Sequence, residues 1–190
     1  NYQGNSSPNP VYDTDGESIH IVYVDATQGW TPTYDGAVAF ETPQTYDVEY
    51  LAVAGGGAGG YPAGSGSAGV GGGGAGGLLT NYEGTAIAIN PGSVYTITVG
   101  EGGGANVGGG NNGEDSVISG TGISTITAVG GGKGGADNSQ VCAIGGSGGG
   151  VYTTDQTTGC AGTAGQGYAG GGWTSGGATS GSGGGGAGAV

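Results

Sequence analysis

The sequence predicts a mainly β protein without α-helix, in which short antiparallel strands are fused to a core of polyglycine II helices. The first reason is composition: 55 of the 190 residues are glycine, and most of them lie after Gly55 in runs of up to four. Glycine is unfavourable inside α-helices. The second reason is the set of short alternating apolar segments between the runs, which are typical of β-strands.

The glycine runs indicate extended helices with three residues per turn. Collagen is excluded, because it needs glycine at every third position and abundant proline, whereas this chain has six prolines and irregular runs. Polyglycine II helices have no internal hydrogen bonds, but they can pack side by side and exchange N–H···O=C bonds with their neighbours. We therefore expect backbone hydrogen bonds, rather than apolar side chains, to form most of the core.

The composition changes near Pro43. The residues up to this point carry six of the fourteen acids and four of the six prolines, but few of the glycines. This change predicts two domains, an N-terminal β linker segment over residues 1–43 and a glycine-rich domain over residues 44–190.

In the N-terminal segment, the alternation of Ile19–Val24 is typical of a β-strand. Both faces of this strand are largely apolar, so we expect both to be covered. Turn-forming residues follow at 25–29, and Trp30 opens a short extended return to Pro32. The pattern predicts a hairpin or the edge of a β-prism.

In the glycine-rich domain, Tyr46–Val53 is predicted as one strand that runs directly into the first glycine run. The Asn-Pro-Gly sequence at residues 90–92 predicts a turn. The later strands, which we expect to be hairpin partners, are predicted over residues 85–89, 93–99, 116–119 and 123–129.

The charge of the chain is strongly one-sided. Lys133 is the only Lys or Arg against fourteen acids, and the net charge is −13. The phosphate backbone of a nucleic acid would be repelled, and no apolar stretch is long enough for a membrane-spanning helix. We therefore expect an extracellular or surface-displayed protein that binds no nucleic acid and does not insert into membranes.

The sequence offers no convincing catalytic or metal-binding set. His20 is the only histidine and lies in the predicted first strand, where a structural role is favoured over a role as general base. The GGGKGG segment at 130–135 differs from a phosphate-binding loop because Gly134 stands where Ser or Thr is needed. The acidic turns at 13–17 and 113–115 supply too few oxygen ligands for calcium. The chain is predicted not to be an enzyme and to carry no cofactor or metal.

Cys142 and Cys160 flank the least glycine-rich stretch in the second half of the chain. One interpretation is a disulfide that closes a display loop and stabilises the fold by about 3 kcal/mol. The other interpretation is a pair of small buried thiols. A zinc site is not expected, because histidine partners are missing.

Aromatic side chains in the short breaks between glycine runs are the best candidates for a binding surface. Aromatic rings can stack on sugars, and neighbouring amides and carboxylates can hydrogen-bond their hydroxyl groups. The alternative interpretation is that each ring only packs over exposed backbone. The rings are Tyr61, Tyr82, Tyr152, Tyr168 and Trp173, and the neighbouring polar residues are Asn81, Asp155, Gln156 and Gln166.

The order of motifs resembles the glycine-rich domain of bacteriophage tail-fibre and other virion proteins. The motifs that carry the resemblance are YDVEYLAVAGGGAGG at 46–60, GGGGAGGLL at 71–79, SVYTITVGEGG at 93–103, EDSVIS at 114–119 and ITAVGGGKGG at 126–135. The preceding segment GESIHIVYVDATQGWTPT at 16–33 is similar to the link that joins this domain to a fibre shaft.

The resemblance implies a fibre or spike component on the virion surface that recognises a host receptor, either a glycan or an outer-membrane protein. It also implies a homo-oligomer, with a trimer as the simplest arrangement, and a receptor-binding tip made by loops at the end of a polyglycine sandwich. The alternative is a purely structural filament or virion-surface subunit that recognises nothing. The implied tip segments are Tyr61-Pro62, Asn81-Tyr82, Gln140 to Ile144, Val151 to Cys160 and Trp173-Thr174.

Overall fold

The computed structural model describes residues 20–34, 45–62, 69–106, 109–136, 141–152, 157–173 and 180–188. The chain divides into two units, Asn1–Gln44 and Thr45–Val190. The boundary predicted from the sequence lies immediately before this division. The described residues form small antiparallel sheets and contain no helix, as the predicted fold class requires.

The first unit contains a β-hairpin of β1 (His20–Asp25) and β2 (Gly29–Tyr34). Its turn is held by the carboxylate of Asp25, which accepts hydrogen bonds from the N–H groups of Thr27 and Gln28 at 2.8 and 2.7 Å. The predicted hairpin is confirmed. The expectation that both faces of the first strand are covered is wrong for the single chain, because every side chain of β1 is exposed and a two-stranded sheet has no layer of its own to cover it.

The described residues of the second unit form three small sheets. β3 (Tyr46–Val48) pairs with β6 (Ile87–Ile89), and β4 (Leu51–Val53) pairs with β5 (Leu78–Thr80). The third sheet has the order β7-β8-β9, with β7 at Tyr95–Thr98, β8 at Ser116–Gly120 and β9 at Ile126–Ala128. All pairs are antiparallel.

The single strand predicted over Tyr46–Val53 is wrong, because the segment divides into β3 and β4, which belong to different sheets. The side chain of Asn81 causes the break. Its amide oxygen accepts a hydrogen bond from the N–H of Tyr50 at 2.6 Å, and its amide nitrogen donates to the carbonyl of Val48 at 3.3 Å. These backbone groups are therefore not available for a continuous ladder.

The predicted hairpin pairing around residues 90–92 is also wrong. The turn is present, and Gly92 has the positive φ of 74° that favours glycine. However, β6 and β7 on either side of it belong to separate sheets. Of the later strands, the neighbours β8 and β9 do form a hairpin.

The apolar core of the second unit is small and consists largely of alanine. Ala52, Ala54 and Ala128 are buried, with Leu79 and Ile118 packed against them. A core of this size buries little apolar surface. Most of the order must therefore come from the glycine-rich segments.

Backbone hydrogen bonds with a repeat of three residues join these segments. The N–H groups of residues 54, 57 and 60 donate to the carbonyls of residues 77, 74 and 71, at 2.8 to 3.0 Å. The intervening N–H groups of residues 55 and 58 donate to a different neighbour, at the carbonyls of residues 114 and 111. Successive residues of one segment thus bond to different neighbours. The segments are called tracts 1 to 9 in chain order: 54–60, 70–77, 101–104, 109–114, 129–135, 145–151, 157–163, 167–172 and 180–188.

The hydrogen bonds connect the tracts as two layers. One layer has the order tract 3, 1, 2, 9, and the other has the order tract 4, 5, 6, 8. Tract 7 and the segment 141–144 lie beyond the second layer. Between the layers glycine is required by space, because a Cβ on Gly74 would overlap the carbonyl oxygen of Ser147, and a Cβ on Gly131 would overlap that of Gly74.

Candidate functional site

The directions of the tracts determine which chain connections lie together. Tract 2 is antiparallel to tract 1, as the hydrogen bonds between them show. Tract 5 is parallel to tract 1, because the N–H groups of residues 131 and 134 donate to the carbonyls of residues 55 and 58. Tract 6 is parallel to tract 5 and tract 8 is parallel to tract 6 by the same three-residue register. Tracts 1, 3, 5, 6 and 8 therefore run one way, and tracts 2, 4, 7 and 9 run the other way.

As a consequence, the tract ends that five connections join lie at one end of the unit. These connections join tract 1 to 2, tract 3 to 4, tract 5 to the segment 141–144, tract 6 to 7, and tract 8 to 9. We call this end the loop end. The opposite ends of tracts 1 to 5 adjoin β4, β5, β7, β8 and β9, and we call that end the strand end.

The loop end brings together three of the aromatic residues predicted from the sequence. Tyr61 follows tract 1 and is 48 % exposed. Tyr152 follows tract 6 and Trp173 follows tract 8, and both are half-buried. Tracts 6 and 8 are direct neighbours at this end, since the N–H of Val151 donates to the carbonyl of Gly171 at 3.3 Å. The predicted residues Asp155 and Gln156 lie outside the described residues, as do Gln140 and Thr174.

Ser182 joins the ends of tracts 6, 8 and 9 at the loop end. Its hydroxyl accepts a hydrogen bond from the N–H of Val151 at 2.7 Å and lies 3.0 Å and 2.5 Å from the carbonyls of Val151 and Gly171. Val151 is almost completely buried. The loop end therefore stands on a fixed backbone platform. Sequence reasoning missed Ser182, because a serine among glycines carries no distinguishing signal.

The other predicted residues lie elsewhere. Asn81 and Tyr82 follow β5 at the strand end. The side-chain amide of Asn81 makes three hydrogen bonds to the backbone. Two are the bonds at the break between β3 and β4, and in the third the amide nitrogen donates to the carbonyl of Thr85 at 3.0 Å. Tyr168 begins tract 8 on the strand side, and its ring lies over tract 9, where a Cβ on Gly188 would be in its way. For Tyr168 the structure favours the interpretation in which the ring packs over backbone.

Gln166 was expected to present its amide to a ligand, and this expectation is wrong. The residue is only 9 % exposed. Its amide oxygen accepts a hydrogen bond from the N–H of Val129 at 2.8 Å, and its amide nitrogen donates to the carbonyl of Thr127 at 3.1 Å. The side chain thus replaces a neighbouring strand along β9, as a peptide group would.

Cys142 and Cys160 form a disulfide with a Cα–Cα distance of 5.8 Å. The bond links the segment 141–144 to tract 7, close to the loop end. Of the two interpretations that the sequence left open, the structure therefore contains the disulfide. No free thiol remains.

The described acids of the second unit are unevenly placed. The described residues of the loop end carry no carboxylate, whereas the acids described in the second unit lie at the strand end or in the adjoining parts of the tracts. These acids are Asp47, Glu49, Glu83, Glu101, Glu114 and Asp115. Among the described residues, no group of three or more His, Cys, Asp or Glu side chains is placed to hold a metal ion. The described part of the chain also has no helix with the length and apolar character needed to cross a membrane.

Comparison with known proteins identifies the family of the chain. A family model described as a glycine-rich domain matches residues 32–190, which include all the tracts and the last three residues of β2. No curated protein and no solved structure matches the chain. Because the matched region covers most of the sequence, the chain belongs to the glycine-rich domain family.

Proposed function

We propose that the protein is a non-enzymatic recognition module in which a rigid platform of glycine tracts presents binding loops at one end. The observation that carries this proposal is the convergence at the loop end of the tract ends that five chain connections join, while the strands lie at the other end. Binding residues are commonly placed on loops that a rigid framework positions. A framework fixed by backbone hydrogen bonds is suited to this role, because loop sequences can change without disturbing it.

The proposal includes a finer description of the platform, namely that the tracts are polyglycine II helices. The three-residue repeat of the hydrogen bonds supports it, since such a helix has three residues per turn and bonds only to neighbours. A crystal structure tests this description. Backbone angles near φ of about −75° and ψ of about +145° throughout tracts 1, 2 and 5 support it, and pleated β angles throughout these tracts would exclude it.

The biological setting that we propose is the receptor-binding part of a bacteriophage tail fibre or spike, displayed on the virion surface as a homo-oligomer such as a trimer. Its support is the order of motifs described above, together with the strongly acidic composition, which disfavours nucleic acid as a partner. The receptor is a host-surface glycan or outer-membrane protein. In this setting Tyr61, Tyr152 and Trp173 contact the receptor, with Asp155 and Gln156 in the same loop as Tyr152.

Binding of the purified chain to a panel of bacterial cells and to an array of bacterial surface glycans tests the proposal. We expect Trp173→Ala and Tyr61→Ala to weaken binding by about tenfold, because aromatic anchors commonly dominate an interface. Tyr46→Ala is the matched control, since Tyr46 is exposed at the strand end, and it should leave binding unchanged. Failure to bind any cell or glycan in the panel, or equal losses in all three variants, would contradict the proposal.

A second candidate, a structural subunit of a filament or virion surface, is favoured by the hairpin of the first unit. Its β1 strand exposes Ile21, Val22, Tyr23 and Val24, although a two-stranded sheet is at best marginally stable on its own in water. Contacts between hairpins of different chains would cover these side chains. Electron microscopy separates the two candidates, because a short oligomer supports the recognition module and an open-ended filament supports the structural subunit.

A further inference from the structure

A cleft on the outer face of β4 and β5 lies at the strand end, away from the loop end. Leu51 pairs with Thr80 in the β4–β5 ladder, and Glu49 and Tyr82 each lie two residues beyond this pair in the chain. These four residues and Tyr50 line an open cavity of about 400 Å³. We call it the β4–β5 cleft.

The floor of the cleft is fixed by hydrogen bonds. The hydroxyl of Thr80 donates to the carbonyl of Tyr50 at 2.9 Å and accepts from the N–H of Tyr82 at 3.0 Å. Asn81, between them, is held by the three bonds described above. The walls remain accessible, since Leu51 is 66 % and Tyr82 is 68 % exposed.

The described lining of the cleft contains one acidic side chain, Glu49, and no basic one. Glu49 is exposed. Two more acids are near in the chain, since Asp47 is two residues before Glu49 and Glu83 directly follows Tyr82. Lys133, the only Lys or Arg of the whole sequence, belongs to tract 5, where its backbone bonds to the side chain of Asn112. An external cation is therefore the natural partner for the Glu49 carboxylate.

We propose that the β4–β5 cleft binds a lysine or arginine side chain of a basic partner peptide. The cationic group lies between the carboxylate of Glu49 and the ring of Tyr82, where an ion pair and a cation–π contact act together. The aliphatic stem of the same side chain lies along Leu51. The cleft thus offers one surface for each part of a long basic side chain.

A neutral sugar fits the same residues less well. Sugars need several free hydrogen-bonding groups around their hydroxyls, in addition to an aromatic ring. In the cleft, the hydroxyl of Thr80 and the amide of Asn81 are already occupied by backbone groups. Glu49 is the one charged side chain of the lining, and its charge favours a cation.

The proposal is tested by titrating the full chain with an end-blocked tetralysine peptide at low salt. Binding is monitored through the backbone amide NMR signals of Leu51, Thr80 and Tyr82. We expect Glu49→Gln and Tyr82→Ala to raise the dissociation constant by about three- to fivefold each, which corresponds to one surface ion pair or one cation–π contact. Glu101→Gln is the matched control, because it removes the same charge from tract 3, and it should change the constant by less than about twofold. Added salt should weaken binding.

The same peptide with its lysines acetylated keeps the length and loses the charge, so it should not shift these signals. Three results would overturn the proposal. The first is an equal effect of Glu49→Gln and Glu101→Gln on the dissociation constant, which would indicate attraction to the net charge alone. The second is a shift of the same NMR signals by the acetylated peptide. The third is a shift of these signals by N-acetylglucosamine that is the same in the Glu49→Gln variant. None of these results affects the proposed function, because the residues of the loop end take no part in the test.

Discussion

Tract 2 and strand β4, in the same unit, contact their neighbours in different ways. Tract 2 donates hydrogen bonds from residues 71, 74 and 77 to tract 5 and from residues 72 and 75 to tract 9, so its backbone is bonded on several sides. Strand β4 has one ladder partner, β5, and presents Ala52 to a small core while Leu51 is exposed. In the tracts the backbone is the packing surface, and in the strands the side chains are.

This difference explains why the two ends of the unit suit different tasks. A tract leaves no room for side chains between the layers, so variation has to be confined to the connections at the loop end. The strands carry side chains on their outer faces, and these faces include the β4–β5 cleft. The distinction can be tested by substitutions whose effects on the free energy of unfolding should differ in size.

The largest effect is expected where a side chain is added between the layers. Gly74→Ala places a methyl group against the carbonyl of Ser147, and we expect a loss of about 3 kcal/mol in the free energy of unfolding, because backbone must move to make room. The measurement is denaturant unfolding followed by the fluorescence of Trp173.

Gly183→Ala is the matched control in tract 9. A Cβ at this position meets nothing within 4 Å, so the change should stay within about 0.5 kcal/mol. Equal midpoints for the two alanine variants would show that the tracts are not packed as closely as described.

A smaller effect is expected at the border between tracts and strands. Gln166→Ala removes the partners of the Val129 N–H and the Thr127 carbonyl, and we expect a loss of about 2 kcal/mol, because partly buried backbone groups are left unsatisfied. Amide hydrogen exchange at Val129 should become faster. Gln28→Ala, in the exposed turn of the hairpin, is the control and should change neither quantity. Slow exchange at Val129 in the Gln166 variant would mean that another group supports the end of β9.

The sequence was sufficient to place strands where the apolar alternation is local. The hairpin of β1 and β2 and the positions of β8 and β9 follow from alternation and turn residues close in the chain. The break between β3 and β4 could not be predicted, because it depends on the side chain of Asn81, about thirty residues further on.

For the candidate site, the residue types were found but not their grouping. Tyr61, Tyr152 and Trp173 share the loop end, and Tyr82 lies at the strand end, only because the tracts run in alternating directions. A run of glycines has the same sequence in either direction and in any register, so it does not reveal which tract it will pair with. The register comes from polar residues such as Ser182 and Gln166, whose bonds to distant backbone groups appear only in the folded structure.

The smallest effect is expected in the hairpin, where the side chains of β1 are exposed. The rings of Tyr23 and Trp30 meet edge to face across the strands, with a centroid distance of 5.5 Å. Trp30→Ala should cost about 1 kcal/mol in the stability of the hairpin, as measured by the chemical-shift dispersion of the β1 amides with temperature. Val24→Ala, which removes an exposed side chain outside this ring pair, should cost less.

Because the hairpin belongs to a separate unit, the unfolding of the tracts should not change in either variant. A shift of both unfolding transitions in the same variant would show that the two units unfold together. If hairpins of different chains cover one another, the loss caused by Trp30→Ala should also depend on protein concentration, which the effect of Gly74→Ala should not.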